Sequence, residues 1–352
     1  MPVTEPLGKT GAVATATGDE AGPTRQRRRW RAIAGAIAGA GVVVVLLVLV
    51  ARQWEQIPKG TLRPNWCLVA VSFLLFRVAA FCSCLLWRAV LGAVGGHISI
   101  VQAYVVRTLA QLGRYIPGKV MVVAARAYLC AREGVSLRVA TMSAVYDHAL
   151  FIVSAAVVVC IWLASGARVL PSSYRWVCGG LTVVGLASLH PRIVTMALRL
   201  ISRVVRRDLD VQPLRYRTML WLGAGYGAAW GVYGLAFYAF LRAFQPLPLG
   251  MVLDCTGILA VGLVAGLVFL IAPSGLGVRE GLVTVLLSAY IPLEVAAAIA
   301  LALRVLMTAG ELLSVGVALV LRRRLSQSAS TGLPGPRPGA SSPVPRESAS
   351  ET

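Results

Sequence analysis

Acidic side chains are scarce in this 352-residue chain: 14 Asp and Glu stand against 34 Lys and Arg, for a formal charge of +20. Histidine is scarcer still. The three residues, His97, His148 and His190, fall in different segments, so no metal-ligand motif forms and neither a metal nor another cofactor is expected. No constellation for catalysis appears either, and the chain reads as a non-enzyme. Only 14% of residues are charged while 57% are hydrophobic, and the mean hydropathy is +0.75. That balance excludes a soluble domain of this size, and no polar stretch is long enough to form a separate catalytic domain. The seven cysteines, Cys67, Cys82, Cys84, Cys130, Cys160, Cys178 and Cys255, show no zinc spacing. They read as small, buried apolar side chains.

What remains is a multi-spanning membrane protein, all-α, built as a polytopic helix bundle. The excess positive charge then belongs to loops beside an anionic leaflet rather than to a nucleic-acid surface. Residues 1–24 are rich in Gly, Ala and Thr and read as a disordered cytoplasmic N-terminus. The basic block Arg25–Arg31 precedes an apolar run at 32–50, the expected first span, with its N-terminus cytoplasmic. Further spans are expected at 65–86, interrupted by Arg77, at 136–165, carrying Asp147 and His148, and at 176–189, 219–244 and 293–321. Residues 191–217 alternate arginine with apolar residues at helical spacing and read as a basic amphipathic helix at the cytoplasmic interface. The transmembrane domain thus runs over 25–325, closed by Arg322, Arg323 and Arg324, and 326–352 reads as a disordered cytoplasmic tail.

Two stretches break this pattern. Pro117-Gly118-Lys119 interrupts the helix begun at 99, and Pro273, with Gly275 and Gly277, interrupts the one begun at 249. Broken backbone is tolerated at membrane depth only against protein or a wet cavity. Each break therefore reads as the tip of a helical hairpin, re-entrant or spanning. Each hairpin is followed by a long span bearing charge, so residues 98–165 and 249–321 read as an inverted repeat, as in transporters with a midplane site.

The charges near the breaks are mainly cationic. Tyr104, Arg107, Thr108, Gln111 and Arg114 share one helix face, and such a stripe must face a bundle interior or water. Arg107, Arg114, Lys119, Arg126, Arg279 and Glu280 are the candidate lining of a path for an anionic headgroup. Asp147, Arg304 and Glu311 are candidates for gating or ion pairing, with Arg304 exchanging partners with Asp147. The competing reading makes these residues structural ion pairs, for example Arg304 with Asp147 or Glu311.

The segment Ala110-Gln-Leu-Gly-Arg-Tyr-Ile-Pro-Gly-Lys119, with Arg126, Gly134-Val-Ser136 and Asp147, resembles the lysylphosphatidylglycerol synthase transmembrane region. Ala272-Pro-Ser-Gly-Leu-Gly-Val-Arg-Glu-Gly281 is similar to that family's second signature, and the resemblance covers roughly residues 30–322. It implies a flippase-like membrane module, found in the multiple peptide resistance factor ahead of a soluble synthase domain. Here that domain is expected to be absent. The implied function is translocation of an anionic phospholipid or a polyprenyl-linked lipid across the cytoplasmic membrane. A glycosyltransferase or lipid-synthase partner is also implied. The alternatives are a membrane subunit of a lipid-modifying or lipid-glycosylating enzyme, and a non-transporting scaffold.

Overall fold

The computed structural model describes residues 64–115, 120–169, 176–177, 179–180, 183, 196, 214–268 and 277–331. The expected span at 32–50, the hairpin-break residues Pro117, Gly118, Lys119, Pro273 and Gly275, and nearly all of 176–213 lie outside them, as do 1–63 and 332–352.

Among the described residues there are eight α-helices and no strand. They are α1 (Trp66–Ala93), α2 (Ile100–Gln111), α3 (Val120–Arg132), α4 (Leu137–Ala164), α5 (Tyr216–Arg242), α6 (Val252–Val268), α7 (Val278–Leu287) and α8 (Leu293–Thr331). A 3-10 turn, Leu112–Tyr115, extends α2, and another, Leu249–Met251, leads into α6. Four helical stretches are long and apolar enough to cross a membrane: Trp66–Ala93, Leu137–Ala164, Leu249–Gly266 and Leu293–Leu325. The protein is a polytopic membrane helix bundle. Its lipid-facing surface is apolar, with Leu74, Val78, Trp221, Leu235, Val285 and Leu313 exposed.

Helix starts follow local chemistry. The Asn65 side-chain oxygen accepts from the backbone N–H groups of Cys67 and Leu68 at 3.1 and 3.4 Å and begins α1. Ser99 and Gln102 close a reciprocal capping box on α2, at 3.2 and 2.8 Å. At α7 the cap position is Gly277, with φ of +82°, a backbone conformation that a β-carbon would strain. The Glu280 carboxylate accepts from the Gly277 N–H at 2.8 Å, so this acid is committed in part to holding its own helix end.

Helices α1 and α5 lie antiparallel. Asn65 N–H donates to Ala243 O at 2.8 Å at one end, and Ser72 Oγ donates to Ala236 O at 2.7 Å further along. Helix α5 has 27 residues, enough to cross, but its Gly, Tyr and Trp content leaves it outside the four most apolar stretches. Its aromatics are core instead: Tyr226, Trp230, Phe237 and Phe240 are buried.

The first hairpin pairs α2 with α3. Gln102 Nε2 donates to Glu133 Oε2 at 2.6 Å at its base, and Gly113 lies against the backbone of Met121 near its tip. Helix α3 has 13 residues, a rise of about 20 Å against about 30 Å of hydrocarbon. The second hairpin pairs α6 with the ten-residue α7. The order short pair, then long helix, occurs twice: α2, α3, α4 and α6, α7, α8.

Two departures from the sequence reading concern α8 and the cysteines. Helix α8 does not stop at Arg322–Arg324 but continues to Thr331, 39 residues in all, so the helix enters the stretch read as a disordered tail. Cys84, Cys130 and Cys255 are buried as expected, whereas Cys67 is exposed and Cys82 and Cys160 are half-buried.

Candidate functional site

Six charged side chains are buried among the described residues: Arg107, Arg126, Asp147, Arg279, Glu280 and Arg304. They form two groups, one on each hairpin and the long helix after it.

The first group centres on Asp147 of α4, 3% exposed. Arg107 Nη1 from α2 donates to both carboxylate oxygens, at 3.0 and 2.8 Å. Arg126 Nη1 from α3 donates to Oδ2 at 2.6 Å. The Tyr226 hydroxyl of α5 donates to Oδ1. One acid thus ties both limbs of the hairpin to α4 and α5. Two guanidiniums on one carboxylate leave a net positive charge in a poorly solvated place, which is costly without further compensation. Part of that compensation is aromatic: the Arg126 guanidinium lies 4.9 Å from the centroid of the Trp87 ring. The Trp87 indole N–H in turn donates to Ser143 Oγ at 3.3 Å. Among the described residues the Arg126 Nε–H has no acceptor.

The second group lies on α7 and α8. Arg304 Nη1 stands 3.4 Å from Glu280 Oε1, an ion-pair distance whose geometry makes no hydrogen bond. Arg279 is buried against the Met307 sulfur. Glu311 of α8 pairs with Arg114, from the turn after α2, and so joins α8 to the first hairpin.

In the sequence reading Arg304 and Asp147 gate by exchanging partners. The partners they have here are Arg107 and Arg126 for Asp147, and Glu280 for Arg304. Helices α2 and α3 fold back beside α4, which brings Arg107 and Arg126 to its acid.

Between the two groups is a cavity of about 210 Å³. Its wall carries Arg107, Arg114 and Arg126 from the first hairpin, Arg279 from the second, and Arg77 from α1. Asp147 and Glu311 are the acids on it, beside His148, Gln111, Ser83 and Tyr233. Five guanidiniums therefore face two carboxylates, both already engaged. The volume is far above what a single water needs, and the wall is polar enough to hold several. Glu280 and Arg304 do not line it, and Lys119 lies outside the described residues.

Sequence reasoning left out Arg77, Tyr226, Tyr233 and Trp87. Arg77 was visible as a lone charge in an apolar run, and its Nη1 donates to Ser314 Oγ of α8 at 3.2 Å. The aromatics gave no signal, since aromatic residues in a span are ordinary.

A second polar knot lies away from the cavity. The Trp162 indole N–H (end of α4) and the Tyr290 hydroxyl (turn before α8) both donate to Asp254 Oδ1 (start of α6), at 2.8 and 2.5 Å. Burial and the bond to Asp254 push the Tyr290 hydroxyl up to about 12, so it remains a donor across the neutral range. No group of His, Cys, Asp and Glu suited to a metal ion occurs among the described residues.

The family described as "Lysylphosphatidylglycerol synthase TM region" aligns with residues 32–313. No curated protein matches the chain.

Proposed function

Since the chain belongs to the lysylphosphatidylglycerol synthase TM region family, a membrane module associated with lipid handling, we propose that it is a lipid translocase whose arginine-walled cavity receives an anionic headgroup. The observation that carries this reading is the cavity wall: five guanidiniums drawn from both hairpins and α1, against two acids that are already paired. Guanidinium forks match the oxygens of a phosphate, and donors held by their own ion pairs need little rearrangement to bind one. The acyl or prenyl tails stay in lipid while the headgroup crosses between the two hairpins. Asp147 and Glu311 set the orientation of the arginines and keep the cavity from holding the anion too tightly. The protein performs no group transfer, and it resides in the cytoplasmic membrane with both termini in the cytoplasm. Its natural cargo is an anionic phospholipid or a polyprenyl phosphate, delivered by or to a lipid synthase or glycosyltransferase.

The test is reconstitution of the full chain in liposomes. These carry fluorescent phosphatidylglycerol, phosphatidylcholine or a labelled polyprenyl phosphate in the inner leaflet, and a membrane-impermeant quencher is added outside. Loss of the protected signal for an anionic lipid, but not for phosphatidylcholine, is expected. Full protection of every anionic lipid would sink the proposal.

A further inference from the structure

His148 stands next to the Asp147 hub and faces the same cavity. Its Nδ1 lies 2.7 Å from the carbonyl oxygen of Ala144, one turn back on α4. A carbonyl oxygen only accepts, so the ring hydrogen must sit on Nδ1. The neutral ring therefore keeps a lone pair on Nε2. Among the described residues nothing donates to Nε2. In a cavity crowded with donors, this is an uncommitted basic nitrogen.

The surroundings decide when it can take a proton. Arg107 of α2, Arg126 of α3, Arg77 of α1, Arg114 of the 3-10 turn and Arg279 of α7 stand on the walls of the same cavity. Each opposes a further positive charge on the ring. The adjacent Asp147 favours that charge, but its carboxylate is taken up by Arg107, Arg126 and Tyr226. Glu311 of α8 is paired with Arg114, and Tyr233 of α5 is neutral. An anion entering the cavity cancels part of this positive field and so lessens the opposition. It also supplies an acceptor oxygen for a new Nε2–H.

We infer that His148 is a proton-binding site coupled to the headgroup site: the imidazole takes up one proton from solution as a phosphodiester anion binds, and releases it as the anion leaves. The Nε2 lone pair forms the N–H bond, water or buffer gives up the proton, and nothing is oxidised or reduced. By linkage the two ligands strengthen each other's binding, so the anion binds more tightly as pH falls and a proton accompanies it through the cavity. This rests on the headgroup reading above.

The experiment is calorimetry on the purified full chain near neutral pH, in buffers of different ionisation enthalpy. The probes are dihexanoyl phosphatidylglycerol and, separately, glycerophosphoglycerol. A phosphodiester does not titrate in this range, so any proton taken up belongs to the protein. Uptake approaching about one proton per ligand is expected in the wild type. It should vanish in His148→Asn, which still offers a donor to Ala144, while binding persists at reduced affinity. Wild-type binding with no uptake overturns the inference. So does uptake that survives in His148→Asn, since Glu311 or Asp147 would then be the acceptor. If His148→Asn does not fold, His148→Gln, which also lacks a titrating ring, takes its place, and uptake that survives in it overturns the inference. Uptake with glycerophosphoglycerol but no binding of the lipid supports the proton site and removes the lipid reading. No binding of either probe removes both.

Discussion

The guanidinium of Arg77 on α1 lies flat against Gly310 of α8. A β-carbon built at position 310 would stand 2.6 Å from Arg77 Cζ and 2.6 Å from Nε. The glycine is there to let a charged group pass between two packed helices, and Ser314 one turn on accepts from Nη1. Gly310→Ala must therefore move the guanidinium, which is the far end of a flexible side chain. The expected cost in stability is small, about 1 kcal/mol at the low end of the range for overpacking. The expected loss in movement of anionic lipid is large, since the cavity wall is rearranged. Thermal unfolding in detergent and the liposome assay measure the two separately. Equal transport in Gly310→Ala and wild type would show that Arg77 does not contribute to the path.

Asp147 is the acid whose removal leaves most behind. Asp147→Ala would strand Arg107 and Arg126 unpaired in the bundle, and breaking a buried ion pair from one side costs about 3–5 kcal/mol. The expectation is a large fall in unfolding temperature. Asp147→Glu keeps the charge with a longer reach and should lose less than half as much. A tolerated Asp147→Ala would mean that the arginines find other partners or that water reaches them.

Much of the first group was legible before any coordinates, and its pairing was not. Arg107 and Arg114 announce a shared face by their seven-residue separation, although Arg114 falls in the 3-10 turn that extends α2. That Arg107 meets Asp147 depends on the hairpin folding back beside α4, a long-range fact with no local trace. Arg77 had no periodic company in its own helix, because its company, Gly310 and Ser314, is on α8. Periodicity reads one helix at a time and cannot see a site shared between two. The length of α8 escaped for a different reason. Serine-rich composition suggested a tail, yet no glycine or proline occurs between Gly316 and Gly332 to stop the helix.

Glu311 tempers the cavity's charge through its pair with Arg114, and both groups are partly open, with side chains 25% and 30% exposed. Glu311→Gln removes one of the two negative charges facing five arginines while keeping the shape. Tighter binding of short-chain phosphatidylglycerol is expected, with a steeper salt dependence, because one more uncompensated charge faces the ligand. Release should slow as binding tightens, so net transport does not rise in proportion. Titration at low and high salt gives the answer, and weaker binding in Glu311→Gln would mean that the carboxylate positions Arg114 more than it opposes the anion.

The knot at Asp254 gives a separate prediction about how α4, α6 and the turn before α8 are held together. One oxygen, Oδ1, takes hydrogen bonds from Trp162 at the end of α4 and from Tyr290 in the turn before α8. Trp162 also packs on Gly257, where a β-carbon would stand 2.1 Å from the indole, so the indole of α4 lies directly on the backbone of α6. Tyr290→Phe removes one donor from a half-buried carboxylate and should cost about 1.5 kcal/mol. Because both donors share an oxygen, the effect of Tyr290→Phe should differ when measured in an Asp254→Asn background, with a coupling of about 0.5 kcal/mol or more. The measurement is a double-mutant cycle on unfolding in detergent. Additivity within about 0.3 kcal/mol would mean that the bonds are made but hold nothing together. The transport assay on Tyr290→Phe then separates roles. A faster exchange of anionic lipid marks the knot as a restraint on motion between α4 and the second hairpin, and an unchanged rate marks it as a structural tie.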